Sequence, residues 1–339
     1  MAKHRVAYIT RGEGADTTLF EQGLSGLDYE LDVHVCNSDG ETIEAVKGAD
    51  VVVNQGVPMP KEVIREFEGQ QAIVSFGHGF NHIDHNAATA QNIMVVNTAG
   101  FCTEEVSNHA ITLLLSCAKK ITILNDLVKQ GKWGADTRAQ LMPMPNIDGQ
   151  TLGLVAFGNI ARATSRKAKV FGLEVIAYDP YVPSWIAKEY KVELVSSLEE
   201  LAQRSDYISD HVPLNDETRG LLGESFFKAM KPTAYFINTC RGPTVDERAL
   251  IKALQDGEIA GAGIDVFEQE PTPADNPLLK MDNVIVTPHS AGQSSNSRVA
   301  APTQLGQETA RILSGRWPMS LVNPEVRAEL TVRQAALNR

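Results

Sequence analysis

Three short phrases hold side chains that could act on one substrate: Asn238-Thr239-Cys240-Arg241-Gly242, the run Asp265 to Pro271 with Glu270 in it, and Thr287-Pro288-His289-Ser290. The planar guanidinium of Arg241 suits a carboxylate and an adjacent carbonyl oxygen. An imidazole such as His289 can exchange a proton with a substrate oxygen while hydride moves at carbon. Glu270 can hold that imidazole and favour its proton-donating form. Each has a plainer role, as a surface ion pair, a core histidine bonded to backbone or a solvated charge. Taken together they are the parts needed to hold a 2-oxo acid and pass it a proton, which makes redox chemistry the leading expectation.

These side chains need elements to position them, and the chain supplies two series of strands alternating with helices. The first is expected at Arg5–Thr10, Leu31–Asn37, Asp50–Asn54, Ala72–Phe76 and Ile93–Asn97. The second is expected at Leu152–Ala156, Glu174–Tyr178, Tyr207–His211, Ala234–Asn238, Gly261–Asp265 and Val284–Thr287. Short apolar runs between turn residues, with helical patterns between them, describe parallel sheets covered on both faces. The fold class is therefore α/β with two doubly wound parallel-sheet domains. Residues 103–131 read as one helical stretch joining the two series, and residues 294–315 as a helix returning to the first. The expected division is residues 1–100 with 292–339 as a discontinuous substrate-binding domain, and 101–291 as an inserted cofactor domain, with a hinge on either side.

In open parallel sheets ligands bind beyond the carboxyl ends of the strands. After the first strand of the second series comes Ala156-Phe157-Gly158-Asn159-Ile160-Ala161. This occupies the place of a dinucleotide loop, with only the middle glycine of G-x-G-x-x-G retained. The next strand ends at Asp179, an acid placed to bind the ribose diol of NAD and to repel the 2′-phosphate of NADP. Phe157, Gly158, Asn159, Ile160 and Asp179 are thus cofactor candidates, and NAD (NADH) is expected over NADP.

Composition narrows the function class. The 339 residues are 43% hydrophobic and 22% charged, with a formal net charge of −11 and no basic stripe, so neither nucleic acid nor a membrane surface is an expected partner. Cys36, Cys102, Cys117 and Cys240 are scattered without metal or disulfide spacing, which suits a reducing, cytoplasmic setting. Cys240 as a nucleophile has no base at a fixed spacing, and His78, His82 and His85 lack a completing ligand, so no metal is expected.

In order along nearly the whole chain, these phrases resemble the D-isomer-specific 2-hydroxyacid dehydrogenases. Gly77-His78-Gly79-Phe80-Asn81-His82-Ile83-Asp84 is similar to the family's substrate-loop phrase, and Glu105-Val106-Ser107-Asn108-His109 to its hinge-helix phrase. His211 to Thr218, Asn238 to Gly242, Asp265 to Pro271 and Thr287 to His289 are similar to its later signatures. The resemblance implies a Rossmann-type NAD domain inserted into a flavodoxin-like substrate domain. It implies that Arg241 binds the substrate carboxylate, that His289 is the acid/base and that Glu270 pairs with it. Asp265 would lie near the nicotinamide and help set the pH response. Val212, Thr239, Cys240, Arg241, His289, Ser290 and His78 would join the cofactor-binding residues. His78 and Gly79 would meet the substrate, with Asn54 and Gln55 beside them. A homodimer paired through the cofactor domain is also implied.

The expected reaction is reversible NAD-linked interconversion of a small-molecule 2-oxo acid and a D-2-hydroxy acid. Two alternatives stand beside it. One is a phosphite-type dehydrogenase. The other is a non-catalytic, NAD(H)-sensing protein, since Cys102-Thr103-Glu104-Glu105-Val106 resembles the corepressor branch of this superfamily.

Overall fold

The computed structural model describes residues 3–139 and 141–326; the remaining terminal residues of the expected first domain lie outside them. The chain forms two compact units, one from the described residues up to Cys102 together with those from Ser294, the other from Thr103 to Gln293.

The first unit holds strands β1 (His4–Thr10), β2 (Tyr29–Val35), β3 (Val51–Gln55), β4 (Ala72–Ser75) and β5 (Met94–Asn97). They pair in parallel in the order β2-β1-β3-β4-β5, the flavodoxin-like arrangement. In β3 the run Val51-Val52-Val53-Asn54 is buried throughout, as a strand covered on both faces requires. Helix Ser295–Leu313 packs on the same sheet, and its Leu305 and Ile312 join Val6, Phe20, Val53 and Val74 in one core. It crosses helix Thr18–Gly23 through two glycines. A Cβ on Gly306 would lie 2.0 Å from the Phe20 carbonyl oxygen, so no larger residue fits that crossing.

The second unit holds β6 (Thr151–Val155), β7 (Glu174–Tyr178), β8 (Glu193–Leu194), β9 (Tyr207–Asp210), β10 (Tyr235–Asn238), β11 (Gly261–Ile264) and β12 (Val284–Val286). The parallel order is β12-β11-β10-β9-β6-β7-β8, a Rossmann sheet with one further strand at the β12 edge. The direction of the sheet reverses beside β6, so the loops after β6 and β9 flank the switch point.

Two local differences from the sequence reading have physical causes. Strand β8 was not among the expected runs: it is two residues long, pairs only with β7 and carries no period to detect. The helical stretch 103–131 is two helices, Thr103–Ala118 and Ile121–Lys129, separated at Lys120, whose φ is 51°. The first helix buries Val106, Ala110, Leu113, Leu114 and Cys117 against the sheet. A Cβ on Gly263 of β11 would lie 2.9 Å from Leu113 Cβ, which shows how closely helix and strand meet. The second helix buries nothing, and Lys120 ties the break down by donating from Nζ to the Leu141 carbonyl at 2.7 Å.

Candidate active site

Arg241, Glu270 and His289 follow β10, β11 and β12, three adjacent strands, so the sheet itself brings them to one edge. His289 Nδ1 lies 2.7 Å from Glu270 Oε2. An ionised carboxylate can only accept, so Nδ1 carries the proton and Nε2 is the other face of the ring. Partial burial works to raise the Glu270 pKa. Hydrogen bonds from His289 and the Phe267 amide, then the charges of His289 and Arg241, outweigh it and carry the pKa below the usual carboxylate value. Both side chains remain partly exposed, at 48% for His289 and 36% for Glu270, so the pair is open to a ligand.

The loops beneath are held by backbone contact. A Cβ on Gly242 would lie 1.8 Å from the Phe267 carbonyl oxygen, so the Arg241 loop and the Glu270 loop touch main chain to main chain. Phe267 N donates to Glu270 Oε1 at 3.0 Å, fixing the second carboxylate oxygen. Glu247, at the start of helix Glu247–Gln255, accepts from Glu268 N at 2.9 Å and Asn276 Nδ2 at 2.8 Å and clamps the same loop.

Asp265 is fully buried and serves the His289 loop. Its Oδ1 accepts from Thr287 Oγ1 at 2.5 Å and Ser290 N at 2.9 Å, and its Oδ2 from Ala291 N at 2.9 Å. His109 Nε2, from helix Thr103–Ala118, lies 2.9 Å from Thr287 Oγ1 and extends this network. His289 has a φ of 49°, a left-handed conformation that non-glycine residues adopt at a cost, and its N–H donates to the Asp265 carbonyl at 2.8 Å. From the sequence, His109 stood only within the hinge-helix phrase with no part assigned, and Glu247 was not singled out. A histidine on a helix with a buried apolar stripe was the available signal for the first; nothing in the spacing marked the second.

The loop after β6 also departs from an ordinary turn. Ala156 has a φ of 68° where a dinucleotide loop has glycine. Phe157 sends its ring into the core, edge-on to Tyr190 at 5.7 Å, and its N–H donates to Asp179 Oδ2 at 2.8 Å. Phe157 therefore contributes by locking Asp179 to the loop, and it presents no side chain. Asp179 Oδ1 accepts from Tyr181 N and Val182 N at 2.9 and 3.0 Å. Gly158 caps helix Asn159–Val170 with no side-chain cap, and a Cβ there would meet nothing within 4 Å. Uncapped N–H groups facing open space suit a pyrophosphate. Thr239 supplies a second sign of fit, because its Oγ1 is buried and has no hydrogen-bond partner among the described residues. Val212 is buried, while Asn159, Ile160, Cys240 and Ser290 retain exposure.

In the other unit, Asn54 is buried at the end of β3, with its amide spent on Val57: Nδ2 donates to the Val57 carbonyl at 2.9 Å and Oδ1 accepts from Val57 N at 2.8 Å. It shapes the turn. Gln55 is exposed and accepts from the Tyr8 hydroxyl at 3.0 Å. His78 is exposed, and its carbonyl accepts from Asn97 Nδ2 at 2.6 Å, so the Gly77-His78-Gly79 loop is pinned by its backbone. Among the described residues no group of three or more His, Cys, Asp or Glu is arranged to hold a metal, and no helix is long and apolar enough to cross a membrane.

Comparison with known proteins places this geometry. Residues 111–291 match the family model described as D-isomer specific 2-hydroxyacid dehydrogenase, NAD binding domain. A glyoxylate reductase of Korarchaeum cryptofilum is 38% identical over 312 residues, covering 90% of this chain and 94% of that protein. A D-3-phosphoglycerate dehydrogenase of Methanocaldococcus jannaschii is 37% identical over 295 residues, which is 87% of this chain and 55% of that longer protein. Among solved structures, the NADPH-dependent glyoxylate/hydroxypyruvate reductase of Sinorhizobium meliloti, in complex with NADP and malonate, aligns with a TM-score of 0.82 at 26% identity, covering 96% of this chain and 98% of that one. These names belong to 2-hydroxyacid chemistry, in keeping with the leading expectation and with neither the phosphite nor the corepressor alternative. Extensive identity, a matching cofactor-domain model and the shared fold agree: the chain belongs to the D-isomer specific 2-hydroxyacid dehydrogenase family and is a nicotinamide-dependent oxidoreductase.

Proposed function

We propose that this enzyme reduces a small 2-oxo acid to the D-2-hydroxy acid with NADH, and runs the reverse reaction with NAD. The observation that carries the reading is the Glu270–His289 pair at 2.7 Å, with Arg241 on the neighbouring strand end and close enough for its charge to reach Glu270. When bound, the reduced cofactor supplies hydride to the carbonyl carbon. Arg241 binds the substrate carboxylate and polarises the carbonyl oxygen. Protonated His289 donates from Nε2 to that oxygen as charge develops, while Glu270 keeps the ring oriented through Nδ1. In the oxidative direction neutral His289 takes the hydroxyl proton.

Gly158, Asn159 and Ile160 hold the pyrophosphate, and Thr239, Cys240, Val212 and Ser290 line the nicotinamide end. Asp179 favours NAD: its charge opposes a 2′-phosphate, and the segment from Pro180 to Ala187 contains no cation to offset it. The glyoxylate reductases among its relatives support a small 2-oxo acid, and four cysteines scattered without disulfide spacing support a reducing, cytoplasmic setting. The chain pairs as a homodimer through its cofactor domain, where helix Ile121–Lys129 leaves its apolar side chains unburied.

The test is a panel of 2-oxo acids assayed with NADH and with NADPH, beside His289→Ala. The variant should lose roughly 10²- to 10⁴-fold in kcat, the usual share of a general acid, while binding NADH with little change. Near-normal reduction by His289→Ala would remove the mechanism. Preference for NADPH would overturn the role given to Asp179.

A further inference from the structure

Beneath the Arg241 loop lies a buried polar chain that the proposed mechanism does not use. Asp210 ends β9 and is wholly buried, as is Thr244. Thr244 Oγ1 lies 2.7 Å from Asp210 Oδ2 and also 2.7 Å from the carbonyl oxygen of Arg241. That carbonyl also accepts from Asn238 Nδ2 at 3.1 Å. Val212 N donates to the other carboxyl oxygen of Asp210 at 3.1 Å.

Counting protons decides how this chain is built. A hydroxyl has one hydrogen and two lone pairs. If Asp210 is ionised, the Thr244 proton goes to it, and the Arg241 carbonyl then faces an oxygen lone pair at 2.7 Å, a repulsive contact. If Asp210 is protonated, it donates to Thr244, and Thr244 donates to the Arg241 carbonyl. Only the second arrangement satisfies both short contacts. From this geometry we propose that Asp210, in its neutral form, is a positioning residue that works through Thr244 to hold the main chain of Arg241 in its substrate-binding pose. The inference rests on the reading of Arg241 as the carboxylate-binding residue.

The surroundings favour the neutral acid. The strand partners of Asp210 are Val155 on β6 and Asn238 on β10, neither of them charged. Burial pushes the Asp210 carboxyl up to about 6, against hydrogen bonds from Thr244, Cys240 and the Val212 and His211 amides that pull it down, so the neutral form prevails below that pH. Cys240 faces it, and desolvation of the sulfur pushes that thiol well above its usual range, so it stays uncharged; its Sγ lies 3.2 Å from Asn238 Oδ1. Burial pushes the neighbouring His211 down to about 4, and its Nε2 lies 3.0 Å from Ser209 Oγ, so it brings no positive charge near neutral pH. Arg241 Nη1 donates to the Cys240 carbonyl at 2.6 Å. As pH rises and Asp210 ionises, the Thr244 proton is drawn away from the Arg241 carbonyl and the anchor is lost.

The experiment measures KM for the best 2-oxo acid and Kd for NADH across pH, in wild type, Asp210→Asn, Thr244→Val and Thr244→Ser. Asparagine mimics the protonated acid by donating through its amide. Asp210→Asn should therefore keep the low-pH KM of wild type and hold it as pH rises, where the wild-type KM climbs. Thr244→Val should raise KM on the order of tenfold, the scale of one buried hydrogen bond, with NADH binding unchanged, and Thr244→Ser should restore it. The proposal is overturned if Asp210→Asn raises KM at low pH as Thr244→Val does, or if Thr244→Val leaves KM alone. Arg241→Gln separates the two readings. An unchanged KM in that variant removes the role of Arg241 itself, whereas a raised KM with no effect from Thr244→Val removes only the anchor.

Discussion

Ala156 occupies a left-handed backbone position with φ of 68°, and in it the sequence and the conformation disagree. An L-residue there costs roughly 1–2 kcal/mol, and replacement by glycine removes that cost while adding about 0.5–1 kcal/mol of chain entropy. Ala156→Gly should consequently be neutral or stabilising by up to about 1.5 kcal/mol, in contrast to alanine-to-glycine changes elsewhere; thermal melting distinguishes the two. Asp210 adds a pH-dependent term. Its folded pKa of about 6 stands above the ordinary aspartate value of 3.8, so the fold holds the proton better than the unfolded chain does. Stability is then lost as pH climbs from about 4 to about 6, by roughly 3 kcal/mol at most. Asp210→Asn cannot titrate, and its melting temperature relative to wild type should rise across that window and level off above it. Arg241, Glu270 and His289 were legible in the sequence because each follows an apolar run that ends in a turn. Asp210 was not, since an acid closing a strand looks the same whether it meets solvent or a threonine from 34 residues on.

At the level of elements, what positions the site is contact between loops. Gly242 meets the Phe267 carbonyl where a Cβ would lie 1.8 Å away, and that neighbour is backbone with no rotamer to yield. Gly242→Ala should push the Glu270 loop off its seat and lower kcat/KM by about 100-fold or more, with circular dichroism unchanged. Full activity in that variant would mean that the loops adjust independently. Apart from β8, the strands of both sheets were readable from their short apolar runs, as Val51-Val52-Val53 illustrates. The break at Lys120 was not, because helical periodicity continues through Ile121, Leu124 and Val128 although those side chains find no sheet to cover them. The clamp by Glu247 was hidden for a related reason. Its partners, Glu268 and Asn276, are brought to it only by the fold.

Over the whole molecule, the uncovered helix Ile121–Lys129 and the exposed side chains of Trp133 and Met142 bear on association. Sedimentation should find twice the chain mass at micromolar concentration, and Ile121→Asp with Val128→Asp should halve it; a wild-type monomer would end the pairing proposal. Helix Ser295–Leu313 has a different consequence, one that concerns how the protein is made. The first unit draws Leu305, Ile312 and Val326 into the same core as Val6 and Phe20, and Val322 N donates to the Val95 carbonyl. On the ribosome, the opening hundred residues thus emerge long before the helix that completes their core. Thr103–Gln293 is synthesised as one uninterrupted stretch and can close its own sheet in the meantime. The order of folding expected from this layout differs from the order of synthesis: the middle of the chain settles first, and the beginning waits for the end.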